Sequence, residues 1–242
     1  MNTSKVAEFF RGLRAELPIL VGVAPFGMIY GVLAVDAGLT PFQAQGMSSI
    51  VFAGSSQIVF TQLVQMGAPG LVIVATVAVI NLRHALYSAS MAPYLQPLKP
   101  VWKLLLSYLL TDEAYAVTVT YYQQVDGQSA RLGDLKPSHP LLDLRHWFFL
   151  GAGLALWTSW QLSTAVGILL GEVVPASWSL DFTLALTFIA LVLPALKDRA
   201  AWAAALSAGI VALLVFNAPY KLGLLIAALV GILCGLLVEG RR

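Results

Sequence analysis

Residues 70–93 read GLVIVATVAVINLRHALYSASMAP. The run is long enough to cross a bilayer as an α-helix, which needs about 20 mainly apolar residues. Asn81, Arg83 and His84 nevertheless stand near its midpoint, where a charge costs about 2.5–3.5 kcal/mol on insertion scales. Because such residues face a protein interior or an aqueous cavity, the stretch predicts a membrane helix that contributes to a transport pathway.

The composition of the whole chain agrees with a membrane protein. Hydrophobic residues make up 59% of its 242 residues and charged residues 11%, and the mean hydropathy is +0.81. A soluble domain carries about a quarter charged residues. The net charge of +2 gives no basic surface for nucleic acid. Cys234 is the only cysteine, which excludes an intramolecular disulfide and a cysteine-rich metal site, and no cofactor is predicted.

Eight apolar stretches are long enough to be membrane helices. They cover residues 17–35, 42–64, 70–93, 101–122, 145–170, 178–196, 199–216 and 219–238. Runs of about 20 residues favour helices over the shorter alternating strands of a barrel. The predicted fold is therefore an all-α polytopic transmembrane bundle of about eight spans in a single domain, residues 1–242, with the first span uncleaved.

Lysine and arginine predict the orientation of these spans. With eight spans and the N-terminus inside, the cytoplasmic side holds ten of the 14 Lys and Arg residues. These ten are Lys5, Arg11, Arg14, Arg131, Lys136, Arg145, Lys197, Arg199, Arg241 and Arg242. If residues 42–64 formed a re-entrant loop instead, the chain would have seven spans and the excess of Lys and Arg on the cytoplasmic side would disappear. Both termini are therefore predicted to be cytoplasmic, with Lys99 and Lys103 as exceptions on the outer side.

Helix-breaking or polar residues also interrupt the first and second spans. Pro25 removes a backbone hydrogen bond and Gly27 adds flexibility, so the first span is predicted to be either kinked or unwound here, the unwound form leaving backbone groups for a ligand. Residues 53–57 read AGSSQ. A broken helix at this point would direct N–H groups at a carboxylate. Close packing of small residues with interhelical hydrogen bonds explains the same pattern.

The fourth span contains two adjacent acidic residues, Asp112 and Glu113. Arg83 lies 10 residues before the end of the third span and Asp112 lies 11 residues after the start of the fourth, so both lie roughly 15 Å from their shared loop. Adjacent helical residues project about 100° apart, so only one of the two acids can face Arg83. The sequence leaves open which of the two acids pairs with Arg83. It also leaves open whether the pair is purely structural or is a gated pair near the substrate. The other acid could carry a transported proton.

Two further polar groups have a functional and a structural interpretation. Asn81 and His84 share one face of the third span, and Arg83 and Tyr87 share another. His84 could relay a proton, because histidine titrates near neutral pH, or it could be a neutral hydrogen-bonded residue. Residues 157–164, WTSWQLST, could line a cavity or form interhelical hydrogen bonds.

Several of these motifs resemble a known family. In residues 52–57 (FAGSSQ), 81–88 (NLRHALYS) and 110–113 (LTDE), the chain strongly resembles the AzlC family, the large subunit of branched-chain amino acid exporters. Residues 10–14 (FRGLR) and 25–27 (PFG) are also similar to that family. The likeness covers roughly the first 120 residues, and the remainder matches mainly in hydropathy and length.

The resemblance implies a function and a partner. It implies export of valine, leucine or isoleucine, with methionine as a further candidate, across the bacterial inner membrane. The proton gradient would drive this export, and a small AzlD-type membrane subunit would accompany the chain. These expectations follow from the resemblance and not from composition or spacing.

A zwitterionic aliphatic amino acid needs donors for its carboxylate, an acceptor for its ammonium group and an apolar pocket for its side chain. Ser55, Ser56, the adjacent backbone and Arg83 are assigned to the carboxylate, and Asp112 or Glu113 to the ammonium group or the coupling proton. The full set of predicted substrate-binding residues is Pro25, Phe26, Phe52, Gly54, Ser55, Ser56, Gln57, Asn81, Arg83 and Tyr87, with Phe26, Phe52 and Tyr87 as pocket walls. The predicted proton-coupling residues are His84, Asp112 and Glu113.

Three other kinds of protein could carry polar residues at this depth. A channel would conduct without saturation, although nothing in the sequence resembles a carbonyl selectivity filter. A noncatalytic scaffold would use its buried charges for assembly with a partner subunit. An intramembrane enzyme would need Ser55 or Ser56 beside His84, and the sequence contains no Gly-x-Ser-x-Gly segment. The chain is predicted not to be an enzyme.

Overall fold

The computed structural model describes residues 4–131, 140–171, 196, 198–219 and 222–239. Within these ranges the chain forms nine α-helices and no strand. The helices are α1 (Lys5–Asp36), α2 (Pro41–Ile50), α3 (Gly54–Gln65), α4 (Gly70–Leu95), α5 (Pro100–Tyr108), α6 (Asp112–Arg131), α7 (Pro140–Gly171), α8 (Arg199–Leu214) and α9 (Leu222–Glu239). The all-α prediction is confirmed for the described residues.

Four of the described helices are long and apolar enough to cross a membrane. They contain Lys5–Asp36, Gly70–Leu95, Leu144–Gly171 and Leu222–Glu239, which match the first, third, fifth and eighth predicted spans. The seventh predicted span corresponds to α8, a shorter apolar helix. The sixth, residues 178–196, lies outside the described residues apart from Leu196. Eight spans is therefore an approximate number.

The second and fourth predicted spans are each divided into two helices. Helices α2 and α3 are separated by residues 51–53, as the broken-helix interpretation predicted. Helices α5 and α6 are separated by residues 109–111, where the sequence analysis predicted a continuous span. The second break has a local cause, because the Thr111 hydroxyl accepts a hydrogen bond from the Ala114 N–H at 3.4 Å and so caps a new helix.

The first span does not unwind at its proline. Helix α1 continues through both Pro18 and Pro25, so the unwound alternative for residues 25–27 is wrong. A proline removes one hydrogen bond to the carbonyl four residues earlier, and a helix can survive that loss when a neighbouring helix supports it. Here that neighbour is α7.

Helices α1 and α7 pack closely and run parallel. A Cβ atom at Gly12 would lie 2.0 Å from the Phe148 carbonyl oxygen, and one at Gly31 would lie 2.5 Å from that of Thr164. Residue numbers thus rise together along the two helices. Reciprocally, a Cβ at Gly167 would lie 2.1 Å from the Met28 carbonyl oxygen. Small residues on both helices allow the backbones to touch, which is a common way to associate membrane helices.

The contacts divide the chain into two compact units. The first comprises residues 1–58 and 81–172, and the second comprises residues 59–80 and 173–242. In the second unit, α8 and α9 pack through Gly231, whose Cβ would lie 2.9 Å from the Ala204 carbonyl oxygen. The prediction of a single domain stays a prediction. The polar residues of the candidate site all lie in the first unit.

Candidate functional site

Arg83 of α4 connects the two helices that begin after the breaks. Its Nη1 atom forms an ion pair with Asp112 Oδ2, at the first residue of α6. Its Nη2 atom donates a hydrogen bond of 2.6 Å to the Ser55 hydroxyl, in the first turn of α3. Of the two acids considered from the sequence, Asp112 is the partner, and the structure brings Ser55, Arg83 and Asp112 into one cluster.

A second bond connects the helices that end at the breaks. The Tyr108 hydroxyl at the end of α5 donates to the Ser49 carbonyl in the last turn of α2. Trp157 of α7 donates to the same hydroxyl at 2.8 Å. Both helix interruptions therefore lie beside each other, with Arg83 bridging the helix starts and Tyr108 bridging the helix ends.

Asn81 and His84 lie at the edge of this cluster. Ser56 donates a hydrogen bond of 2.6 Å to Asn81 Oδ1, which fixes the start of α3 against α4. The His84 Nδ1 atom lies 3.3 Å from the Asn81 carbonyl oxygen within its own helix, and its ring contacts that of Tyr87 at 5.9 Å. The described contacts of His84 fit the hydrogen-bonded interpretation of this residue.

Gln57 supplies hydrogen bonds to backbone carbonyl groups at the end of α2. Its Nε2 atom donates to the carbonyls of Ser48 and Val51, and its Oε1 atom accepts from the Trp160 indole at 3.2 Å. A helix C-terminus leaves carbonyl groups without intrahelical partners, and a helix N-terminus leaves N–H groups. Since Gln57 and Tyr108 occupy carbonyls of α2, the break presents mainly the N–H end of α3, which favours an anion.

Gly54 allows Trp160 to reach this position. A Cβ on Gly54 would lie 2.6 Å from the Trp160 ring, so the first residue of α3 has to lack a side chain for the indole to pack here. The predicted role of Gly54 in substrate binding is not tested by this contact, which accounts for the glycine through packing.

Two polar atoms of the ion pair have capacity for a further bond. Arg83 Nε and Asp112 Oδ1 are buried and have no hydrogen-bond partner among the described residues. The two side chains as a whole are 29% and 37% exposed, so the pair is not sealed inside the protein. The cluster thus offers one buried donor and one buried acceptor within a partly exposed ion pair.

The aromatic residues predicted as pocket walls lie in different places, and of them Tyr87 reaches the ion pair through a side-chain hydrogen bond with Asp112. Phe52 lies 6.2 Å from the ring of Tyr108, while Tyr87 stacks on Tyr115 at 4.6 Å. Pro25 and Phe26 lie on α1, next to Gly27, whose Cβ would lie 2.5 Å from the Ser163 hydroxyl of α7. Gly27 thus places this part of α1 directly against α7.

A cavity lies between α4 and α5, on the side of the site where α5 ends. Its volume is about 520 Å³. Its lining is mostly apolar and includes Met91, Pro93 and Leu110, with Lys103 at one wall. Leu110 belongs to the α5–α6 break, so the cavity reaches the segment that precedes Asp112. None of the residues around this cavity was predicted from the sequence.

The polar cluster of the fifth span forms interhelical hydrogen bonds. Gln161 Oε1 accepts from Gln45 at 2.6 Å and from Ser49 at 2.9 Å, and the Thr164 and Ser48 hydroxyls lie 3.0 Å apart. These bonds fasten α7 to α2, which supports the packing interpretation of residues 157–164.

Glu16 was missed in the sequence analysis. It is fully buried in α1, and neither carboxylate oxygen has a hydrogen-bond partner among the described residues. The first span was predicted to begin at residue 17, which assigned Glu16 to the flanking segment. Helix α1 begins twelve residues earlier, at Lys5. The sequence signal that could have identified Glu16 is a carboxylate one position before the apolar run and two positions before Pro18.

Gln57→Leu is expected to lower the stability of the folded protein. Leucine has a similar size but leaves the Ser48 and Val51 carbonyls and the Trp160 indole without this partner, at roughly 1–3 kcal/mol for an unsatisfied buried group. Thermal unfolding of the purified protein in detergent measures the effect. Gln124→Leu, at an exposed position of α6, is the matched control. Equal melting temperatures for the two variants would contradict the capping role of Gln57.

The fold and the site define a class of protein. It is a polytopic α-helical membrane protein in which two interrupted helices meet at an Arg–Asp pair. The family model described as AzlC protein matches residues 18–174. The chain belongs to the AzlC family, a transport-related family of membrane proteins.

Relatives support this membership. The chain is 26% identical to the inner membrane protein YgaZ of Escherichia coli K12, over 96% of this chain and 89% of that protein. It is 31% identical to an uncharacterized membrane protein of Archaeoglobus fulgidus, over 95% of both chains. An uncharacterized membrane protein of Helicobacter pylori is 31% identical over 59% of this chain and 62% of its own length. No solved structure matches the chain.

Proposed function

We propose that this chain is the large subunit of a proton-coupled exporter of branched-chain amino acids. Valine, leucine and isoleucine are the proposed substrates, with methionine as a further candidate. The proposed location is the bacterial inner membrane, with both termini in the cytoplasm. A small AzlD-type membrane subunit is the proposed partner.

The observation that carries the proposal is the pair of unpartnered atoms at the centre of the site. Among the described residues, Arg83 Nε has no acceptor and Asp112 Oδ1 has no donor. The α-carboxylate of an amino acid can accept from the former, and its ammonium group can donate to the latter. A zwitterion would thus enter between two side chains that hold each other when no substrate is bound.

The start of α3 supplies the remaining polar contacts for the carboxylate. Ser55 already bonds to Arg83, and the N–H groups of the first turn of α3 have no intrahelical acceptor. The positive end of the helix dipole adds to their attraction for an anion. Interrupted helices of this kind form substrate sites near the bilayer midplane in other transporters.

Apolar surface next to the site suits an aliphatic side chain. Phe52 and Tyr108 lie at the α2–α3 break, and the cavity between α4 and α5 reaches Leu110 with a mostly apolar lining. An aliphatic chain in this cavity would leave its charged end at Asp112. Burial of a Val, Leu or Ile side chain contributes roughly 1.5–3 kcal/mol, which is enough to prefer these substrates over alanine.

The exchange of ion partners gives a physical basis for gating. While Arg83 and Asp112 are paired, they hold the starts of α3 and α6 together through Ser55. Substrate binding replaces this direct pair with two substrate-mediated contacts, so the two half-helices can separate on one side. Alternating access requires that the substrate make different contacts in the inward-facing and outward-facing states.

A second subunit is supported by the apolar surface of α4. Leu82 and Leu86 are 61% and 72% exposed, although they belong to the same helical segment as Arg83. In a membrane, such a surface contacts lipid or another apolar helix. A small membrane subunit on this surface would cover the helix that carries the central arginine.

Transport measurements in proteoliposomes test the proposal. Vesicles are loaded with labelled valine, leucine, isoleucine or methionine, and efflux is followed with and without an imposed pH gradient. The small subunit is present in one set and absent from the other, and alanine and aspartate are control substrates. We expect saturable efflux of the aliphatic amino acids that responds to the gradient.

The rival functions give different results in this assay. A channel gives flux that does not saturate with substrate concentration. It also shows no exchange of labelled for unlabelled substrate and no accumulation against a substrate gradient. A scaffold gives no flux that depends on this chain's own polar residues. Absence of flux for all four aliphatic substrates in vesicles that contain folded complex would contradict the proposed exporter.

A further inference from the structure

Glu16 is a fully buried carboxyl group that the substrate site does not use. It lies in α1, and both of its carboxylate oxygens are without a hydrogen-bond partner among the described residues. An ionised carboxylate in such surroundings carries a large desolvation cost unless a partner compensates it. Glu16 therefore differs from Arg83 and Asp112, whose opposite charges offset each other.

Glu8, two helical turns earlier on α1, shows what a compensated carboxylate looks like here. It is also fully buried, but Arg11 Nη1 lies 2.9 Å from its Oε1 atom. The Tyr121 hydroxyl of α6 donates to its Oε2 atom at 2.6 Å. The two glutamates have the same burial and the same helix, and only Glu16 lacks such partners.

The charged group that acts on Glu16 is Glu113. It is partly buried in the first turn of α6, close enough for a negative charge on it to act on Glu16. Helix α6 runs antiparallel to α7, because Tyr121 stacks on Phe148 while Leu109, just before α6, lies against Gly153, and α7 runs parallel to α1. Counting from the Glu8–Tyr121 bond, eight residues later on α1 is Glu16, and eight residues earlier on α6 is Glu113. Since the helices run antiparallel, both carboxyl groups lie about 12 Å from the Glu8–Tyr121 contact, at 1.5 Å per residue.

Among the described residues, the other helices packed on α1 add no titratable group at this level. Gly12 faces Phe148 and Ala152 of α7, so the parallel register brings Glu16 to residues 152–156, AGLAL. Helix α2, PFQAQGMSSI, contains no titratable residue. Beyond Glu113, the charges of Asp112 and Arg83 act on Glu113 with opposite effects, and the Thr111 side chain bonds to it.

We propose that Glu16 and Glu113 form a two-carboxyl site that takes up and releases the coupling proton of the transport cycle. This proposal rests on the proposed exporter function and adds Glu16 to the predicted proton-coupling residues. Two neighbouring carboxyl groups away from water cannot both be ionised, so the pair holds one proton. The proton binds to a carboxylate oxygen from one side of the membrane and leaves to the other, and no further reactant is needed.

The position of Glu113 connects this proton to the substrate. Glu113 is adjacent in sequence to Asp112, which pairs with Arg83. When a substrate separates Arg83 from Asp112, the balance of charge around Glu113 changes, and the proton affinity of the carboxyl pair changes with it. Substrate binding and proton binding are then linked, as coupling requires.

Glu16→Gln tests the assignment by separating exchange from coupling. Exchange of labelled for unlabelled substrate needs no net proton movement, so we expect it to stay within about twofold of the native rate, whereas accumulation driven by a pH gradient falls by roughly tenfold or more. Glu8→Gln, on the same helix with equal burial, is the matched control and keeps both activities.

Several outcomes would overturn the proposal. A Glu16→Gln protein with native gradient-driven accumulation has no need of this carboxyl group. A Glu16→Gln protein that is folded but loses exchange as well shows a role in positioning and not in coupling. A native protein that exchanges none of the tested amino acids contradicts the exporter function itself, and this result is distinct from both of the others.

Infrared spectroscopy of the native protein gives a measurement that needs no transport. A protonated carboxylic acid has a C=O stretching band that shifts in D₂O. We expect this band at neutral pH in the reconstituted native protein and in Glu8→Gln, and its loss in Glu16→Gln. Absence of the band from the native protein would refute the two-carboxyl site even if the Glu16→Gln protein does not fold.

Discussion

Arg83→Gln is expected to lower the transport rate by roughly tenfold or more, because the guanidinium holds the substrate carboxylate in the proposed cycle. Glutamine retains a donor for Ser55 but has no charge for Asp112. The measurement is saturable efflux from proteoliposomes, normalised to the amount of folded protein. Arg145→Gln is the control, because Arg145 forms a second ion pair in the same unit, at 3.3 Å to Asp126, outside the proposed site.

Exchanging the two charges separates the structural and the functional interpretation of the pair. In the double variant with Arg83→Asp and Asp112→Arg, an ion pair can still form between α4 and α6. A purely structural pair predicts that stability and transport both recover relative to the single variants. The proposed site predicts recovery of stability only, because the carboxylate donor then no longer stands beside Ser55 and the N-terminus of α3. Native transport in the double variant would contradict the substrate role of Arg83.

Gly31→Ala is expected to destabilise the protein by about 3 kcal/mol or more, at the upper end of the cost of overpacking. The new Cβ would lie 2.5 Å from the Thr164 carbonyl oxygen and 2.6 Å from the Ile168 nitrogen. Both are backbone atoms of α7, so no side-chain rotation can relieve the contact and the helices have to separate. The thermal midpoint in detergent and the amount of folded protein in the membrane both measure the loss.

Gly22→Ala is the matched control for this substitution. Gly22 lies on the same helix, and nothing comes within 4 Å of its added Cβ. Alanine is the better helix former by about 1 kcal/mol, so this variant is expected to be as stable as the native protein or slightly more stable. Equal destabilisation by the two changes would show that α1 tolerates no alanine for reasons other than its contact with α7.

Much of the helical architecture could be predicted from the apolar runs. A membrane segment has to satisfy its backbone hydrogen bonds internally, so each run of about 20 apolar residues implies a helix. The break before Gly54 was also predictable, because small and polar residues occupy the middle of an apolar run there. The break before Asp112 could have been recognised from Thr111, a preferred N-cap, followed by two acids that favour a helix start.

The partners of the polar residues depended on tertiary structure. The sequence indicated that Arg83 needs an acid and that Asp112 or Glu113 could supply it, since both lie at the same depth. The rotation of α6 about its axis selects Asp112, and that rotation follows from packing against α1 and α7. The interhelical bonds of Gln161 likewise join helices far apart in the chain, and the capping of α2 by Gln57 depends on how the chain turns between α2 and α3.

The amino-acid sequence was sufficient to predict an all-α membrane protein of the AzlC family with polar residues within its apolar helices. These properties follow from the local order of apolar and polar residues and from motif likeness. The packing of the helices was needed to show that Arg83 joins Asp112 to Ser55 and that α1 and α7 touch through glycines. It was also needed to show that Glu16 is buried with no hydrogen-bond partner among the described residues. Each of these features depends on which faces of two helices pack together. The free energy of such a contact depends on the residues of both helices, which are distant in the sequence.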